Sequence, residues 1–363
     1  MRILYVTTVG ITMRFFESYI KSLCADGNEV EVACNNSADD LPEYCADSIF
    51  HTHNLSCSRS PLNFGNVKAI SEIKKIVESG NYDIVHCHTP IAAFCTRLAC
   101  RKARKNGTRV FYTAHGFHFY KGAPLKNWLL FYTAEKLCAR LTDVLITINQ
   151  EDYELAQRKL KANRVVYVPG VGIDLEKFGT ISVDRQEKRT ELGIPEGARL
   201  LLSVGELNEN KNHETVIRAI ADIKNAYYVV AGNGSKKETL LSAVEELGLS
   251  DRVKLLGRRE DIAELCKTAD AFVFPSFREG LSVALMEAMA CGLPCAVSKI
   301  RGNTDLIDTN GGKLFDPHSV EGCKNALKEL LSGDLQKAGE YNAEKVKRFS
   351  LDNVNEEMKK LYF

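Results

Sequence analysis

Two glutamates, Glu279 and Glu287, stand eight residues apart in a segment whose pattern predicts a strand, a turn and a helix. Residues 271–274 form an apolar run typical of a buried strand, and Ser282 offers an N-cap for a helix over 283–291. A glycine and a proline then end this helix, and a second apolar strand follows. The sequence therefore predicts a βαβ unit with one acid just before its helix and another eight residues, or about two helical turns, later in the chain.

The residues that share a helix face with Glu287 are small or apolar. They are Val283, Ala284, Ala290 and Cys291. Because an unpaired carboxylate is costly to bury, we expect a polar ligand to pack close to this face and meet it. The free amides and positive dipole at the start of the same helix suit a phosphate. Together these features indicate a sugar nucleotide; the alternative is a glutamate satisfied by the protein itself.

The composition is that of a soluble globular protein. Of the 363 residues 45% are apolar and 26% charged, with a formal net charge of +1, and this length predicts two domains. No apolar run is long enough to span a bilayer, and the start, MRILYVTT, is typical of a strand rather than a signal peptide. The twelve cysteines include no CxxC pair. We therefore expect reduced core thiols and a cytoplasmic location.

Strand-like and helix-like segments alternate in two series, separated by the breaker-rich stretch 169–179. This order predicts an α/β fold with doubly wound parallel sheets and ligands at the carboxyl ends of the strands. We expect an N-terminal domain over 1–170, a C-terminal domain over 171–340 and a helical tail over 341–363, with packing of that tail on the N-terminal domain as a hypothesis. Two such domains would form a ligand-binding cleft.

Two parts of the chain receive no strand at this stage. The segment that follows residue 34 is expected to be irregular as far as residue 64, and no strand is assigned after residue 297. Internal repeats and low-complexity tracts are absent from the sequence.

Between Asp83 and Glu135 the sequence contains basic residues but no acid. The basic residues are Arg97, Arg101, Lys102, Arg104, Lys105, Arg109, Lys121 and Lys126. Aromatic residues lie among them: Phe111, Tyr112, Phe117, Phe119, Tyr120, Trp128, Phe131 and Tyr132. Such a surface predicts an anionic partner, such as phospholipid headgroups, a lipid diphosphate or nucleic acid. The alternative is a solvated basic helix beside a buried aromatic core.

Five motifs carry a resemblance to a known family. They are FREGLSVALMEAMACGLP with its E-x7-E pair, VGELNENKN at 204–212, YTAHGFHF at 112–119, VVYVPGVGIDLEKF at 165–178 and LLGRREDI at 255–262. In this order they resemble the retaining nucleotide-sugar glycosyltransferases of glycosyltransferase family 4, over nearly the whole length. The resemblance implies the GT-B fold, in which two Rossmann-like domains face each other across a cleft.

The resemblance also implies roles for individual residues. The residues with an implied catalytic role are His115, Lys211 and Glu279. The residues with an implied role in donor binding are Gly10, Gly205, Lys211, Arg258, Glu279, Gly280, Leu281, Ser282 and Glu287. In this scheme Glu279 binds hydroxyls of the transferred sugar, Glu287 binds the ribose, and the amides of 280–282 contact the diphosphate. Lys211 compensates the charge of the departing nucleotide diphosphate.

The remaining positions have more general roles in the scheme. His115 faces the C6 region of the hexose, and Gly10 keeps its loop free of a side chain over the diphosphate. Arg258 and its neighbours flank the nucleobase. A metal is not implied by the resemblance, and neither is a cofactor.

The chain departs from the family pattern in two places. Many family members have an arginine directly after the glycine of the phosphate loop, whereas this chain has Glu206. This removes one cation beside the diphosphate, and Arg14 or Arg258 are candidates to compensate. The first loop also lacks the usual paired glycines, because Gly10 is followed by Ile11.

The implied reaction is transfer of a hexose or N-acetylhexosamine from a UDP-sugar to a glycan or a polyprenyl-diphosphate-linked glycan, with retention at the anomeric carbon. A role in capsule or exopolysaccharide synthesis follows from the same resemblance. The basic and aromatic stretch adds the hypothesis of peripheral contact with the inner face of the cell membrane. A nucleic-acid partner is not expected, because the basic residues have no recognisable reading motif.

Three other functions compete with this one. A sugar-nucleotide epimerase has a similar two-domain fold, and a non-catalytic partner subunit of a transferase would need no intact site. The histidine pairs His51/His53, His86/His88 and His115/His118 raise the third alternative, a metallohydrolase. They lack an accompanying acid-rich motif, which disfavours that function.

Overall fold

The computed structural model describes residues 1–46 and 51–363. The chain divides into two compact units, one of residues 1–171 with 354–363 and one of residues 172–353. The division after residue 171 is close to the predicted boundary at 170. The predicted tail 341–363 is split, because residues up to 353 belong to the second unit and only the last ten belong to the first.

The first unit is built on a parallel sheet. Its described strands are β1 (Arg2–Val9), β2 (Glu29–Asn35), β3 (His51–Asn54), β4 (Ile84–His88), β5 (Arg109–Ala114), β6 (Val144–Thr147) and β7 (Arg164–Tyr167). They lie in the order β3-β2-β1-β4-β5-β6-β7. The central strand β1 is buried along almost its whole length, as expected of a parallel strand covered on both faces.

Helices cover both faces of this sheet. Those of the first unit are α1 (Glu17–Ala25), α2 (Gly65–Gly80), α3 (Pro90–Ala99), α4 (Arg101–Lys105), α5 (Leu125–Asn127), α6 (Thr133–Ala139) and α7 (Gln150–Lys159), with 3₁₀ turns at Gly10–Phe16 and Glu43–Ala46. A π-helical turn, Trp128–Tyr132, joins α5 to α6. One apolar core contains residues of α2, α3 and α6, and a second contains residues of α1 and the chain's last helix.

The second unit repeats the architecture. Its strands are β8 (Arg199–Val204), β9 (Ala226–Ala231), β10 (Val253–Gly257), β11 (Ala271–Phe274), β12 (Cys295–Ser298) and β13 (Gly312–Phe315), in the order β10-β9-β8-β11-β12-β13. Its helices are α8 (Leu175–Gly179), α9 (Arg185–Glu191), α10 (His213–Ile220), α11 (Lys237–Glu246), α12 (Ile262–Thr268), α13 (Val283–Ala290), α14 (Asn303–Leu306), α15 (Val320–Ser332) and α16 (Leu335–Lys345), with a 3₁₀ turn at Val346–Phe349. The final helix is α17 (Leu351–Tyr362). The chain order reverses between β8 and β11, which is where ligands bind in such sheets.

The two doubly wound parallel sheets confirm the predicted α/β class. Two strands were missed. The edge strand β3 lies in the stretch expected to be irregular, because its HTHN sequence has no apolar alternation. The short strand β13 pairs with β12 at the other sheet's edge, beyond the last strand assigned from sequence.

The basic stretch between Asp83 and Glu135 is only partly a surface, which corrects the prediction. Arg97 is 1% exposed and donates two hydrogen bonds, of 2.7 and 3.0 Å, to the carboxylate of Glu135. The guanidinium also lies 4.3 Å from the ring centroid of Tyr112. Several aromatic residues of the stretch are likewise core residues, namely Phe111, Tyr112, Phe117 and Phe119.

Candidate functional site

The loops after β8 and β11 meet through an ion pair. Lys211 follows β8 and Glu279 follows β11, and Lys211 Nζ lies 2.8 Å from Glu279 Oε1. The two side chains keep 21% and 13% of their surface exposed. Lys211 Nζ also stands 4.7 Å from the ring centroid of Phe274, the last residue of β11. Because β8 and β11 are adjacent at the point of chain reversal, this pair marks the edge where a ligand is expected.

Asparagines of the loop after β8 brace the loop after β11. Asn210 Nδ2 donates to the carbonyl of Arg278 at 2.9 Å, and Asn212 Nδ2 donates to the carbonyl of Pro275 at 3.0 Å. Asn208 Oδ1 accepts from the backbone N–H of Lys211 at 3.0 Å. None of these asparagines was assigned a role from the sequence. The asparagines fix the loop geometry that brings the lysine to Glu279.

The helix that follows Glu279 begins as predicted. Ser282 is the N-cap of α13 and its hydroxyl accepts from the N–H of Leu285 at 3.3 Å. The positive end of the helix dipole and the charge of Lys211 therefore act on the same small volume. This arrangement favours an anion such as a diphosphate beside residues 280–282.

A buried arginine beneath this turn was missed in the sequence. Arg301 is 7% exposed, and its Nε donates to the carbonyl oxygen of Glu279 at 3.1 Å. The next residue, Gly302, has a φ of +76°, and a Cβ there would lie 2.2 Å from the carbonyl oxygen of Gly280. The segment after β12 thus packs directly against the turn. The Arg-Gly dipeptide just after a predicted strand is the sequence feature from which this contact could have been predicted.

Glu287 lies in the middle of α13, about one turn from its start, and is half-buried. Burial raises the pKa of Glu287 to about 7, and the charge of Lys177 opposes that rise. Among the residues that the structure describes, Glu287 has no hydrogen-bond partner. The alternative of a glutamate satisfied by the protein's own groups is therefore not supported. An acceptor held without a partner suits ligand hydroxyls.

The other predicted donor-binding positions are scattered. A Cβ on Gly205 would lie 3.3 Å from Lys211 Cε, so this glycine makes room for the lysine stem. Leu281 is half-buried in the turn before α13, whereas Arg258 is exposed just after β10, an outer strand of the sheet. Gly10 belongs to the first unit, and a Cβ there would lie 2.6 Å from Asp40 Oδ1. The protein's own neighbouring loop thus accounts for that glycine.

His115 is in the first unit, directly after β5, and lines an apolar pocket. The pocket is also lined by Tyr5, Phe16, Tyr19, His88 and Met358. His88 Nδ1 lies 3.1 Å from His115 Nε2, and the His88 ring packs 4.1 Å from that of Phe16. In the sequence His88 was recognised only as part of an HxH pair, so its contact with His115 was missed.

A third histidine extends the group. His86 Nε2 lies 2.7 Å from Thr113 Oγ1, and its Nδ1 contacts the Tyr362 hydroxyl. Burial lowers the pKa of His86 to about 3 and that of His115 to about 4. Burial, with repulsion from the other two rings, also holds the pKa of His88 well below its ordinary value. All three imidazoles are therefore neutral at physiological pH.

The neutral His88–His115 contact has one donor, and burial decides which ring supplies it. His88 Nε2 is buried and has no hydrogen-bond partner within residues 1–46 and 51–363. A proton there would be an orphaned buried donor, which is rarer than an unpaired acceptor. His88 therefore carries its proton on Nδ1 and donates to His115 Nε2. The proton of His115 is then on Nδ1, where it can be donated to a ligand oxygen.

Family models match both units. The model described as "Glycosyltransferase Family 4" matches residues 14–177, and the one described as "Glycosyl transferases group 1" matches residues 184–346. A Bacillus subtilis (strain 168) protein named "Putative glycosyltransferase EpsD" is 37% identical over 371 residues, covering 99% of this chain and 96% of the relative. The chain belongs to glycosyltransferase family 4.

Further similarities agree with this assignment. A transferase of Escherichia coli, named UDP-Gal:alpha-D-GlcNAc-diphosphoundecaprenol alpha-1,3-galactosyltransferase, is 29% identical and matches over 82% of this chain and 79% of its own. The structure of Anabaena HepE in complex with UDP superposes with a TM-score of 0.83 at 20% identity, over 100% of this chain and 99% of that one. This glycosyltransferase therefore has the GT-B fold predicted from the motifs.

The raised pKa of Glu287 predicts a pH-dependent stability. The unfolded chain releases this proton near pH 4.5 and the folded protein near pH 7, so folding takes up a proton between these values. The free energy of unfolding therefore falls as pH rises through that window and levels off above it. At pH 8 we expect the free energy of unfolding of Glu287→Gln, measured by urea denaturation, to exceed that of wild type by about 2 kcal/mol. This difference in unfolding free energy should vanish near pH 4.5. Equal gains at both pH values would contradict this.

The histidine contact predicts a tautomer. In ¹⁵N-histidine-labelled protein, long-range ¹⁵N–¹H spectra should show neutral His115 protonated on Nδ1, with its resonance assigned by loss in His115→Gln. The variant His88→Phe removes the group that donates to His115 Nε2. The His115 proton should then shift from Nδ1 toward Nε2. A wild-type His115 protonated on Nε2 would show that His88 does not set the tautomer.

Proposed function

We propose that this glycosyltransferase moves a hexose or N-acetylhexosamine from a UDP-sugar to a lipid-diphosphate-linked glycan, with retention, during surface polysaccharide synthesis. The observation that carries the proposal is the Lys211–Glu279 pair before α13, together with the carboxylate of Glu287 about one turn into that helix, which has no hydrogen-bond partner among the described residues. The region around Lys211 suits a diphosphate, and the carboxylate of Glu287 suits a diol.

The donor follows from the chemistry of these residues. The diphosphate would lie against the amides of 280–282 with Lys211 beside it, since both the dipole and the ammonium attract an anion. The ribose hydroxyls would donate to Glu287, and a hydroxyl of the sugar would donate to Glu279. The choice of uridine is supported by the solved complexes of HepE with UDP and UDP-glucose and by the name of the E. coli galactosyltransferase.

Retention would arise by front-face substitution. The bond from the anomeric carbon to the phosphate oxygen breaks, the acceptor oxygen bonds to that carbon on the same face, and the acceptor's proton passes to the leaving phosphate. In this course Lys211 stabilises the negative charge that develops on the leaving group. The ion pair with Lys211 orients Glu279 as a hydroxyl acceptor rather than as a nucleophile.

The acceptor side of the proposal rests on a surface of the first unit. Four leucines of α5, the π-helical turn and α6 are strongly exposed: Leu125 (82%), Leu129 (76%), Leu130 (57%) and Leu137 (63%). Exposed cations Lys126, Lys136 and Arg140 lie on the same helical run. Apolar side chains with flanking cations suit the headgroup region of an anionic bilayer. We name residues 125–140 the leucine–lysine face.

The leucine–lysine face refines the earlier hypothesis of a basic and aromatic surface. Its apolar component is leucine, since the aromatic side chains Trp128, Phe131 and Tyr132 are half-buried. In the part of the chain that the structure describes, no helix combines the length and apolarity that a membrane span requires. Contact with a bilayer would therefore be through a surface of this kind.

The donor site predicts a large loss of activity in Glu279→Gln. With UDP-hexoses or UDP-N-acetylhexosamines as donors and a synthetic polyprenyl-diphosphate-linked sugar as acceptor, kcat should fall about ten- to a hundredfold. That range corresponds to the loss of a hydrogen bond to a charged acceptor, worth about 1.5–3 kcal/mol. The exposed neighbour variant Glu209→Gln is the matched control and should retain wild-type turnover.

Other outcomes would separate the alternatives. Conversion of a UDP-sugar into its epimer without acceptor would identify an epimerase. Failure of every UDP- and GDP-sugar to raise the melting temperature would support a non-catalytic subunit. Wild-type turnover in Glu279→Gln would remove the central residue from the mechanism.

The leucine–lysine face predicts salt-sensitive membrane binding. Wild-type protein should sediment with vesicles that contain phosphatidylglycerol at low salt, and less at high salt. The double variant Leu129→Ser/Leu130→Ser should sediment much less than wild type, because it loses two of the four exposed leucines of this face. Phe363→Ser, which removes another exposed apolar side chain (72%), is the control. Equal sedimentation of all three proteins, or none by wild type, would contradict the proposed surface.

A further inference from the structure

Three metal-ligand side chains meet at the outer edge of the first unit's sheet. Glu31 on β2 is the register partner of His51 on the edge strand β3, and His53 pairs with the residue two positions beyond Glu31. Residues two apart on a strand point to the same face, and partners in register lie side by side. The sheet therefore brings one carboxylate and two imidazoles together.

The distances within this trio are those of a site that could bind a cation. The three ligand atoms all lie within 4.8 Å of one another. His53 Nε2 is 2.6 Å from Glu31 Oε2, and the His51 and His53 rings are 4.4 Å apart at 80°. Glu31 is 6% exposed, whereas His51 is exposed. The trio thus has a buried anionic side and a solvent-facing side.

The carboxylate is held in place by two further groups. The Tyr82 hydroxyl donates to Glu31 Oε2 at 2.5 Å, and an Arg2 guanidinium nitrogen donates to Oε1 at 2.6 Å. Partners of this kind orient ligating carboxylates in metal proteins. Because Arg2 neutralises part of the charge on Oε1, a cation would be bound mainly through Oε2 and the imidazoles. This favours a metal that prefers nitrogen ligands over Mg²⁺ or Ca²⁺.

We propose that Glu31, His51 and His53 form a binding site for a divalent transition metal of the Zn²⁺ class, with a fourth position open to water. Two histidines and one glutamate are a known three-ligand set for zinc. The metal would replace the hydrogen bond between His53 and Glu31, with the neutral His53 ring carrying its proton on Nδ1 while Nε2 binds the metal. It would tie β3 to β2. None of the residues proposed for sugar transfer belongs to the trio.

The test is metal binding by the full chain after treatment with a chelator. Titration with Zn²⁺ by calorimetry should show one equivalent bound and a higher melting temperature. Affinity should fall about tenfold or more in His51→Gln and in His53→Gln, since changes even to residues that only support a ligand cost about 10–100-fold. His51 is exposed, so its variant should keep the fold. His318→Gln removes an exposed histidine of the second unit and should bind as wild type.

Cobalt distinguishes this site from the thiols. All twelve cysteines are free in the structure, and all except Cys24 are buried. Co²⁺ bound to the trio should give a visible spectrum without a thiolate charge-transfer band. The proposal is overturned by the absence of stoichiometric binding, by wild-type affinity in both histidine variants, or by a thiolate band that persists in them.

Discussion

The ion pair between Lys211 and Glu279 is the contact on which the candidate site depends. It joins the loops that leave two adjacent strands at the point of chain reversal. Each partner is largely removed from solvent, and each would be costly to keep there alone. Together they hold an ammonium beside a helix N-terminus and a carboxylate in the turn before it. A diphosphate and a sugar hydroxyl need these two groups side by side.

Hydrogen bonds from the surrounding segments hold the Lys211–Glu279 ion pair in one geometry. The asparagines of one loop bond to backbone carbonyls of the other, and the guanidinium of Arg301 binds the carbonyl of Glu279 itself. The loops that carry the proposed donor-binding side chains are therefore supported by hydrogen bonds to the main chain. Such support keeps catalytic groups in position without a ligand.

Two polar side chains depart from the usual rule that buried polar groups are hydrogen-bonded. Glu287 is a half-buried carboxyl without a hydrogen-bond partner among the described residues, and His88 has a buried ring nitrogen in the same condition. Each of these two groups lowers the stability of the folded protein. Local conflicts of this type are expected at functional positions, where the missing partner is supplied by the ligand or the proton arrangement is part of the mechanism.

Sequence patterns predicted the elements whose signals are local. The apolar strand, the Ser282 cap and the helix of the βαβ unit depend on neighbours in the chain, and the parallel sheets follow from the alternation. Features set by distant partners were missed. Arg97 was assigned to a surface because its partner, Glu135, is 38 residues away. Strand β3 was missed because its HTHN sequence has no apolar alternation and its pairing with β2 is not visible in the sequence.

A crystal structure of the protein with UDP would test the central claim most directly. The account predicts diphosphate oxygens within hydrogen-bonding distance of the amides of 280–282 and of Lys211 Nζ, with both ribose hydroxyls on the carboxylate of Glu287. A nucleotide bound elsewhere on the protein, with neither Glu279 nor Glu287 in reach of it, would contradict the account.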